Sequence, residues 1–242
     1  MNVWVVNAVI IEAMAGIGVL SAVITRRLQP VFAVGFNTML PVAGVYLWNA
    51  PPLNTRKILL LAMLIMYLMH MNWLLLRHSR HTAISRLEQK LPPSQKYALP
   101  FILTNTAGWG YCLPFYFAAQ RTEPLGWGDY LAVGIFALGF VTHVTSEYQK
   151  RKFKARPDAR GKILDTGLWS LCRHPNYLGD FLIYVSFATI GGRLWGWVSP
   201  LLNFLQYLFD AIPKNEAWMA ERYGKLWDEY ARRTKKLIPF VY

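Results

Sequence analysis

Apolar residues fall into seven stretches, 3–25, 30–50, 57–76, 98–120, 125–146, 176–192 and 194–212, separated by short polar or basic segments. About twenty apolar residues, rising about 1.5 Å each, cross a hydrocarbon core about 30 Å thick. The pattern therefore predicts an all-α, polytopic integral membrane helix bundle of about seven transmembrane helices. A basic cytoplasmic loop and a C-terminal amphipathic helix complete it. The last two stretches are the least regular: Asp180 and the Gly191-Gly192 pair interrupt the sixth, and Pro200, Asn203 and Gln206 the seventh. Either fits a broken or partly buried helix. The first stretch has the length of a signal peptide but no basic region ahead of its apolar core, so it reads as a retained span.

Charge placement tests this count. With the N-terminus outside or lumenal, seven spans put 26–29, 77–97, 147–175 and the C-terminal tail in the cytoplasm, and these segments hold 22 of the 26 Lys and Arg. The opposite loops keep only Arg56, Lys57, Arg121 and Arg193. This is the bias that orients membrane proteins. It also explains the net charge of +13 without nucleic acid, because basic cytoplasmic loops face anionic lipid. Charged residues make up only 16% of the chain against about a quarter in soluble domains, again as in a membrane protein. The two cysteines, Cys112 and Cys172, support neither a disulfide framework nor a metal site.

Ionisable groups inside a membrane are costly, so each is a functional candidate. Glu12, His70, His143 and Asp180 lie within spans, and Asp129 and Glu147 near their ends. Glu12 reads equally as a hydrogen-bond partner for Asn37 or Asn105 on another helix. Tyr67 and His70, at i and i+3, share one side of the third span. A phenol so placed can donate a proton to a reacting group, or can simply pack as a buried aromatic. In the fourth span Pro114 predicts a kink, and Trp109, Tyr111, Phe115, Tyr116 and Phe117 form a wall for a flat apolar ligand or for neighbouring helices.

The densest chemistry lies in 147–180, EYQKRKFKARPDARGKILDTGLWSLCRHPNYLGD. Lys150, Arg151, Lys152, Lys154, Arg156, Arg160 and Lys162 make either a solvated juxtamembrane face or a phosphate site. Gly167 permits a sharp turn and Trp169 can stack on a flat ring. Arg173, His174, Asn176, Tyr177 and Asp180 follow within eight residues, with Pro175 at the expected start of a helix. An amide, a phenol and a carboxylate on one helix face can orient a carboxamide or a ribose. Neither a glycine-rich dinucleotide fingerprint nor a phosphate-loop lysine is present. In the tail, 214–236 is a charged amphipathic region broken at Gly224, either a helix resting on lipid or a lid carrying Arg222, Tyr223 and Trp227.

The run at 149–180 resembles the C-terminal domain of steroid 5α-reductases and their DUF1295-like bacterial relatives. Its RHPNYLGD is also similar to the sterol C14 and C7 reductases, including the reductase-like part of the lamin B receptor. The closing LWDEYARRTKKLIPFVY resembles the ends of both groups, so the likeness covers roughly 145–242. It implies a multi-span enzyme that binds NADPH from the cytoplasm and reduces a polarised carbon–carbon double bond of a steroid, sterol or related lipid. By position, Glu147, Lys150 and Lys154 match family residues at the adenosine phosphate end of the cofactor. Trp169, Arg173, His174, Asn176, Tyr177 and Asp180 match the signature that lines the cofactor, and Tyr223 a tail aromatic. Tyr67 matches the family's carbonyl-polarising Tyr and Gln29 its Gln, but no Glu follows Gln29; Glu12 stands as its replacement. Lys154 replaces the usual Arg, and Asp180 the Glu of the 5α-reductases. The Arg and Asp of the sterol reductases' last helix are not reproduced, Asn215 falling near the expected acid.

The expected organisation is thus 1–97 as substrate-side helices and 98–242 as a reductase-like domain. A similar RHPxYxG stretch in membrane methyltransferases of the isoprenylcysteine carboxyl or phospholipid type keeps S-adenosylmethionine as an alternative cofactor. Glu216 alone is a thin version of their paired acids, and GLW replaces the GPY common ahead of their motif. A non-enzymatic lipid-binding protein is the third reading.

Overall fold

The computed structural model describes residues 2–50, 52–77 and 83–242; Arg80, counted above in a basic loop, lies outside them. Every regular element among them is helical, with one isolated parallel bridge between Cys172 and Lys235. Four helical segments are long and apolar enough to cross a membrane: Val3–Thr25, Leu28–Trp48, Thr55–Arg77 and Trp127–Lys154. The protein is a helical membrane protein.

The second expected span is interrupted within its crossing length, and the fourth, sixth and seventh are shorter or interrupted, for local reasons. The fourth is built as α6 (Pro93–Asn105), a π-turn (Thr106–Tyr111) and α7 (Leu113–Ala119). Pro114 cannot donate a backbone hydrogen bond, and just ahead of it the Cys112 amide reaches five residues back, to the Ala107 carbonyl at 3.1 Å. The second breaks at Thr38 into α2 (Leu28–Asn37) and α3 (Met39–Trp48), because Pro41 follows and the Thr38 hydroxyl donates back to the Val34 carbonyl (2.9 Å). The sixth is the 17-residue α10 (Pro175–Gly191). The seventh is divided into a 3₁₀ turn (Leu194–Trp197), α11 (Val198–Gln206) and a π-turn (Tyr207–Ala211).

Two compact units emerge, 1–130 with 187–199, and 131–186 with 200–242. In the first, α1 (Val3–Thr25) is capped by Asn2, whose carboxamide oxygen accepts from the Trp4 amide (2.9 Å). It packs on α2 and α6, and α4 (Thr55–Arg77) buries Leu60, Leu64 and Tyr67. A short helix, α5 (Ala83–Lys90), reaches α2 through Glu88, which accepts from the Leu28 amide (2.8 Å).

In the second unit, α8 (Trp127–Lys154) and α10 cross where two glycines face each other. A methyl group on Gly179 would lie 2.5 Å from the His143 amide nitrogen and 2.7 Å from the Gly139 carbonyl oxygen; one on Gly139 would lie 2.7 Å from the Gly179 carbonyl. Small residues let two backbones approach this closely. The crossing sets His143, Ser146 and Glu147 of α8 beside the first turns of α10. We expect Gly179→Ala to destabilise the protein by about 1–3 kcal/mol, because backbone and not a pliable side chain must yield. Thermal unfolding in detergent checks this; an unchanged midpoint would show that the crossing is loose.

The tail consists of α12 (Ile212–Tyr223), Gly224 with φ 51°, and α13 (Lys225–Arg233). Trp227 and Tyr230 of α13 are buried, and the Tyr230 hydroxyl donates to the Trp169 carbonyl (2.6 Å). That amphipathic face is covered by protein.

Candidate functional site

The polar residues of 147–180 assemble at the start of α10. Gly167, at φ 64°, turns the chain into α9 (Leu168–Leu171), and a side chain there would strike the Gln149 amide at 2.6 Å. That amide oxygen accepts from the Leu168 amide (3.0 Å), so Gln149 of α8 fixes the first turn of α9. Trp169 then donates through its indole N–H to the Ser146 carbonyl (3.2 Å), and the Lys150 ammonium stands 5.8 Å from its ring centre. Glu147 accepts from Lys150 and from the Asn176 amide (2.9 Å). Lys150, three positions on, and Asn176, 29 positions on, thereby meet at one carboxylate oxygen.

Arg173 closes the floor. Its guanidinium donates to Glu216 Oε1 (2.8 Å) and to the carbonyls of Ala231 (2.7 Å) and Thr234 (2.6 Å), and lies 5.7 Å from the Trp227 ring centre. Its backbone N–H donates to the Lys235 carbonyl (2.8 Å). The side chain expected to line a cofactor thus ties the α9–α10 turn to the tail.

Three aromatic rings stack beyond it. His174 lies parallel to Tyr177 (5.3 Å, 6°), and Tyr177 to Tyr207 (4.3 Å, 10°). Asn215 donates to the Tyr177 hydroxyl. Asp180 is 4% exposed, and its Oδ2 accepts from the Tyr207 hydroxyl (2.5 Å) and the Asn203 amide (3.0 Å). Asn203 is 2% exposed, and its carboxamide oxygen has no hydrogen-bond partner. Asn203 and Tyr207 sit at i and i+4, a spacing that puts both on one helical face in an otherwise apolar segment. That was the legible signal for two residues absent from the expected site. Tyr223, in contrast, sits at the end of α12 with its ring edge-on to Trp218 (6.5 Å, 84°) and Arg222 5.6 Å away. Lys154 ends α8 in an exposed position.

Burial pushes the His174 imidazole below its ordinary pKa, against the opposing pull of the Glu216 hydrogen bond (3.3 Å). Burial raises Glu216, but hydrogen bonds from His174 and Arg173 outweigh it and hold the carboxyl below the usual range. The neutral imidazole thus donates from Nε2 to a carboxylate already paired with Arg173. A histidine with a depressed folded-state pKa contributes stability that is complete above its unfolded pKa, about 6.5, and lost as pH falls through its folded value. We expect the unfolding midpoint to fall from about pH 6.5 downwards, with His174→Gln flattening that slope. The Glu216 contribution persists to lower pH, since its pKa is depressed from 4.5. A slope unchanged by His174→Gln would assign it elsewhere.

The two proposed acids lie in the other unit. Glu12 accepts from the Asn105 amide (3.1 Å), one of the two partners expected for it. Tyr67 is fully buried, edge-on to Phe187 (6.5 Å, 74°). Gln29 donates to the Leu75 carbonyl at the end of α4, so its amide braces two helices. No cluster of His, Cys, Asp and Glu suited to a metal occurs among the described residues.

Fold and site together define a helical membrane protein with a buried polar cluster. The chain belongs to the family described as "Protein of unknown function (DUF1295)", whose model matches residues 20–234. It is 31% identical over 181 residues to the Delta(14)-sterol reductase ERG24 of Candida albicans, covering 62% of this chain and 40% of that protein. It is 28% identical over 153 residues to the Delta(14)-sterol reductase TM7SF2 of Mus musculus, covering 54% and 35%. A shorter likeness, 35% over 97 residues, joins it to the probable O-methyltransferase ustE of Ustilaginoidea virens, covering 38% and 34%. The chain spans between a third and two fifths of the length of these relatives.

Proposed function

We propose that the protein is an NADPH-dependent reductase of a carbon–carbon double bond in a steroid, sterol or related membrane lipid. The observation that carries this reading is the pair of buried acceptors formed by Asp180 of α10 and the unpartnered carboxamide oxygen of Asn203 in α11. A nicotinamide carboxamide carries the two N–H donors that such a pair accepts. The residues thus fit the cofactor, and the sterol-reductase names of the relatives support the same chemistry.

In this reading Lys150 and Lys154, with Glu147 orienting Lys150, hold the phosphate end, aided by the basic run to Lys162. Trp169 offers a ring face to a flat group, and Asn176, Tyr177 and Asp180 orient the nicotinamide end. His174 keeps the Tyr177 ring in its stacked plane, Arg173 fixes the turn that carries them, and Tyr223 marks the tail side. When bound, NADPH supplies the hydride. Tyr67 is the proposed proton donor through its hydroxyl, and Glu12 the proposed replacement for the missing acid after Gln29. The finer arrangement belongs to the same proposal: seven spans, the N-terminus outside or lumenal, the tail cytoplasmic, 1–97 on the substrate side and 98–242 as the reductase-like domain.

A second reading, an S-adenosylmethionine-dependent methyltransferase, is favoured by the likeness to ustE. Purified protein titrated with NADPH, NADH and S-adenosylmethionine separates the two. A ligand at 100 times its dissociation constant adds about 2.7 kcal/mol of stability. We expect NADPH to raise the unfolding midpoint most; stabilisation by S-adenosylmethionine alone would overturn the reductase.

A further inference from the structure

Of the four basic residues outside the basic loops, three guanidinium groups gather in the first unit. Arg56 is 1% exposed and grips Asp129 through two hydrogen bonds, Nε to Oδ1 (2.8 Å) and Nη2 to Oδ2 (2.9 Å). It also donates to the carbonyls of Arg121 (3.3 Å), Glu123 (3.0 Å) and Pro124 (3.1 Å). Arg121 donates to Glu123 (2.6 Å), Asp129 (3.3 Å) and the Ile190 carbonyl (2.9 Å). Two guanidinium groups thus meet two carboxylates, and this cluster is neutral.

Arg193 adds a third positive charge with no carboxylate left to balance it. It is exposed; its backbone carbonyl accepts from the Gly196 amide (3.0 Å), and its side chain makes no hydrogen bond or ion pair among the described residues. With Arg121, Glu123, Gln120, Tyr116, Phe117 and Gly192 it lines a cavity of about 440 Å³, in which two guanidinium groups face one carboxylate already bound to Arg121. That size lies within the range of about 300–1,000 Å³ for small-molecule sites. The lining therefore offers guanidinium and carboxamide donors together with two aromatic rings. The neighbouring residues Leu194 and Trp195 are 81% and 69% exposed, and Trp127 and Trp48 of the same unit are 80% and 89% exposed. In a membrane protein such tryptophans lie at the level of lipid headgroups.

We propose that this cavity binds the headgroup of an anionic phospholipid. The phosphodiester accepts from Arg193, Gln120 donates to the same group, and the attached apolar chain runs along Tyr116 and Phe117. The net positive charge selects an anionic headgroup over a zwitterionic one. Inorganic phosphate would meet the same guanidinium but has nothing to place against the aromatic wall.

Native mass spectrometry of the delipidated full chain tests this, with phosphatidylglycerol, phosphatidylcholine and inorganic phosphate as probes. We expect phosphatidylglycerol to be retained roughly tenfold better than phosphatidylcholine, a difference of about 1.4 kcal/mol. Arg193→Gln should abolish that preference, Arg193→Lys should keep most of it, and excess inorganic phosphate should not displace the lipid. Equal retention of both lipids, an undiminished preference in Arg193→Gln, or displacement by inorganic phosphate would each overturn the proposal. Should Arg193→Gln fail to fold, the wild-type chain still decides. Phosphatidylglycerol must then raise its unfolding midpoint above that in phosphatidylcholine, and equal midpoints would overturn the site.

Discussion

Replacing Arg173 by Met is expected to destabilise the protein by about 3–5 kcal/mol before any cofactor is added, the cost of breaking a buried ion pair from one side. The substitution strands the Glu216 carboxylate and leaves the carbonyls of Ala231 and Thr234 without their donor. It also removes the cation from the Trp227 ring. For a chain of this length each kcal/mol moves the unfolding midpoint by about 2–4 °C, so a fall on the order of 10 °C is expected. Cofactor binding should fail with it, because the α9–α10 turn would no longer be held to the tail. Were Arg173 chiefly a ligand of the cofactor, its loss would spare the unliganded midpoint and appear only in NADPH binding. Thermal unfolding with and without NADPH distinguishes the two.

Asp180→Asn should act in the opposite manner, sparing the fold and abolishing turnover. Its carboxamide oxygen can still accept from the Tyr207 hydroxyl or the Asn203 amide, so the packing around a nearly isosteric side chain survives. The carboxylate proposed to orient the nicotinamide end does not. Removing one preorganised electrostatic partner from an enclosed site lowers turnover by about 10²–10³-fold. We therefore expect a loss of about a hundredfold or more in the rate of NADPH oxidation, with the midpoint nearly unchanged. A variant that unfolds readily but retains its rate would make Asp180 a structural anchor.

Much of the fold was legible because hydropathy and helix-breaking residues act locally. Gly224 ends one tail helix and starts the next, and Pro114 follows the π-turn that interrupts the fourth apolar stretch. The break at Thr38 was less visible, since Thr and Pro there lie in an apolar run whose hydropathy does not change. For the site, the chain order of 147–180 revealed the polar cluster but not the distant groups that hold it. Arg173 finds its partners 43 to 61 residues away, and Asp180 finds Tyr207 27 residues away. Such pairings arise from tertiary packing, and helical spacing alone cannot assign them. The same limit hid the hydrogen bonds by which Arg173 ties its turn to the tail.

The most direct test of the central claim is transfer of deuterium from NADPH labelled at the nicotinamide C4 to a sterol carrying a conjugated double bond. The purified chain would be reconstituted in lipid, and the product's mass and label position read out. One deuterium is expected on the reduced carbon–carbon bond, in a product formed by the wild type and lost in Asp180→Asn. Turnover of NADPH without label in any lipid product, or methylation of the lipid when S-adenosylmethionine is supplied instead, would contradict it.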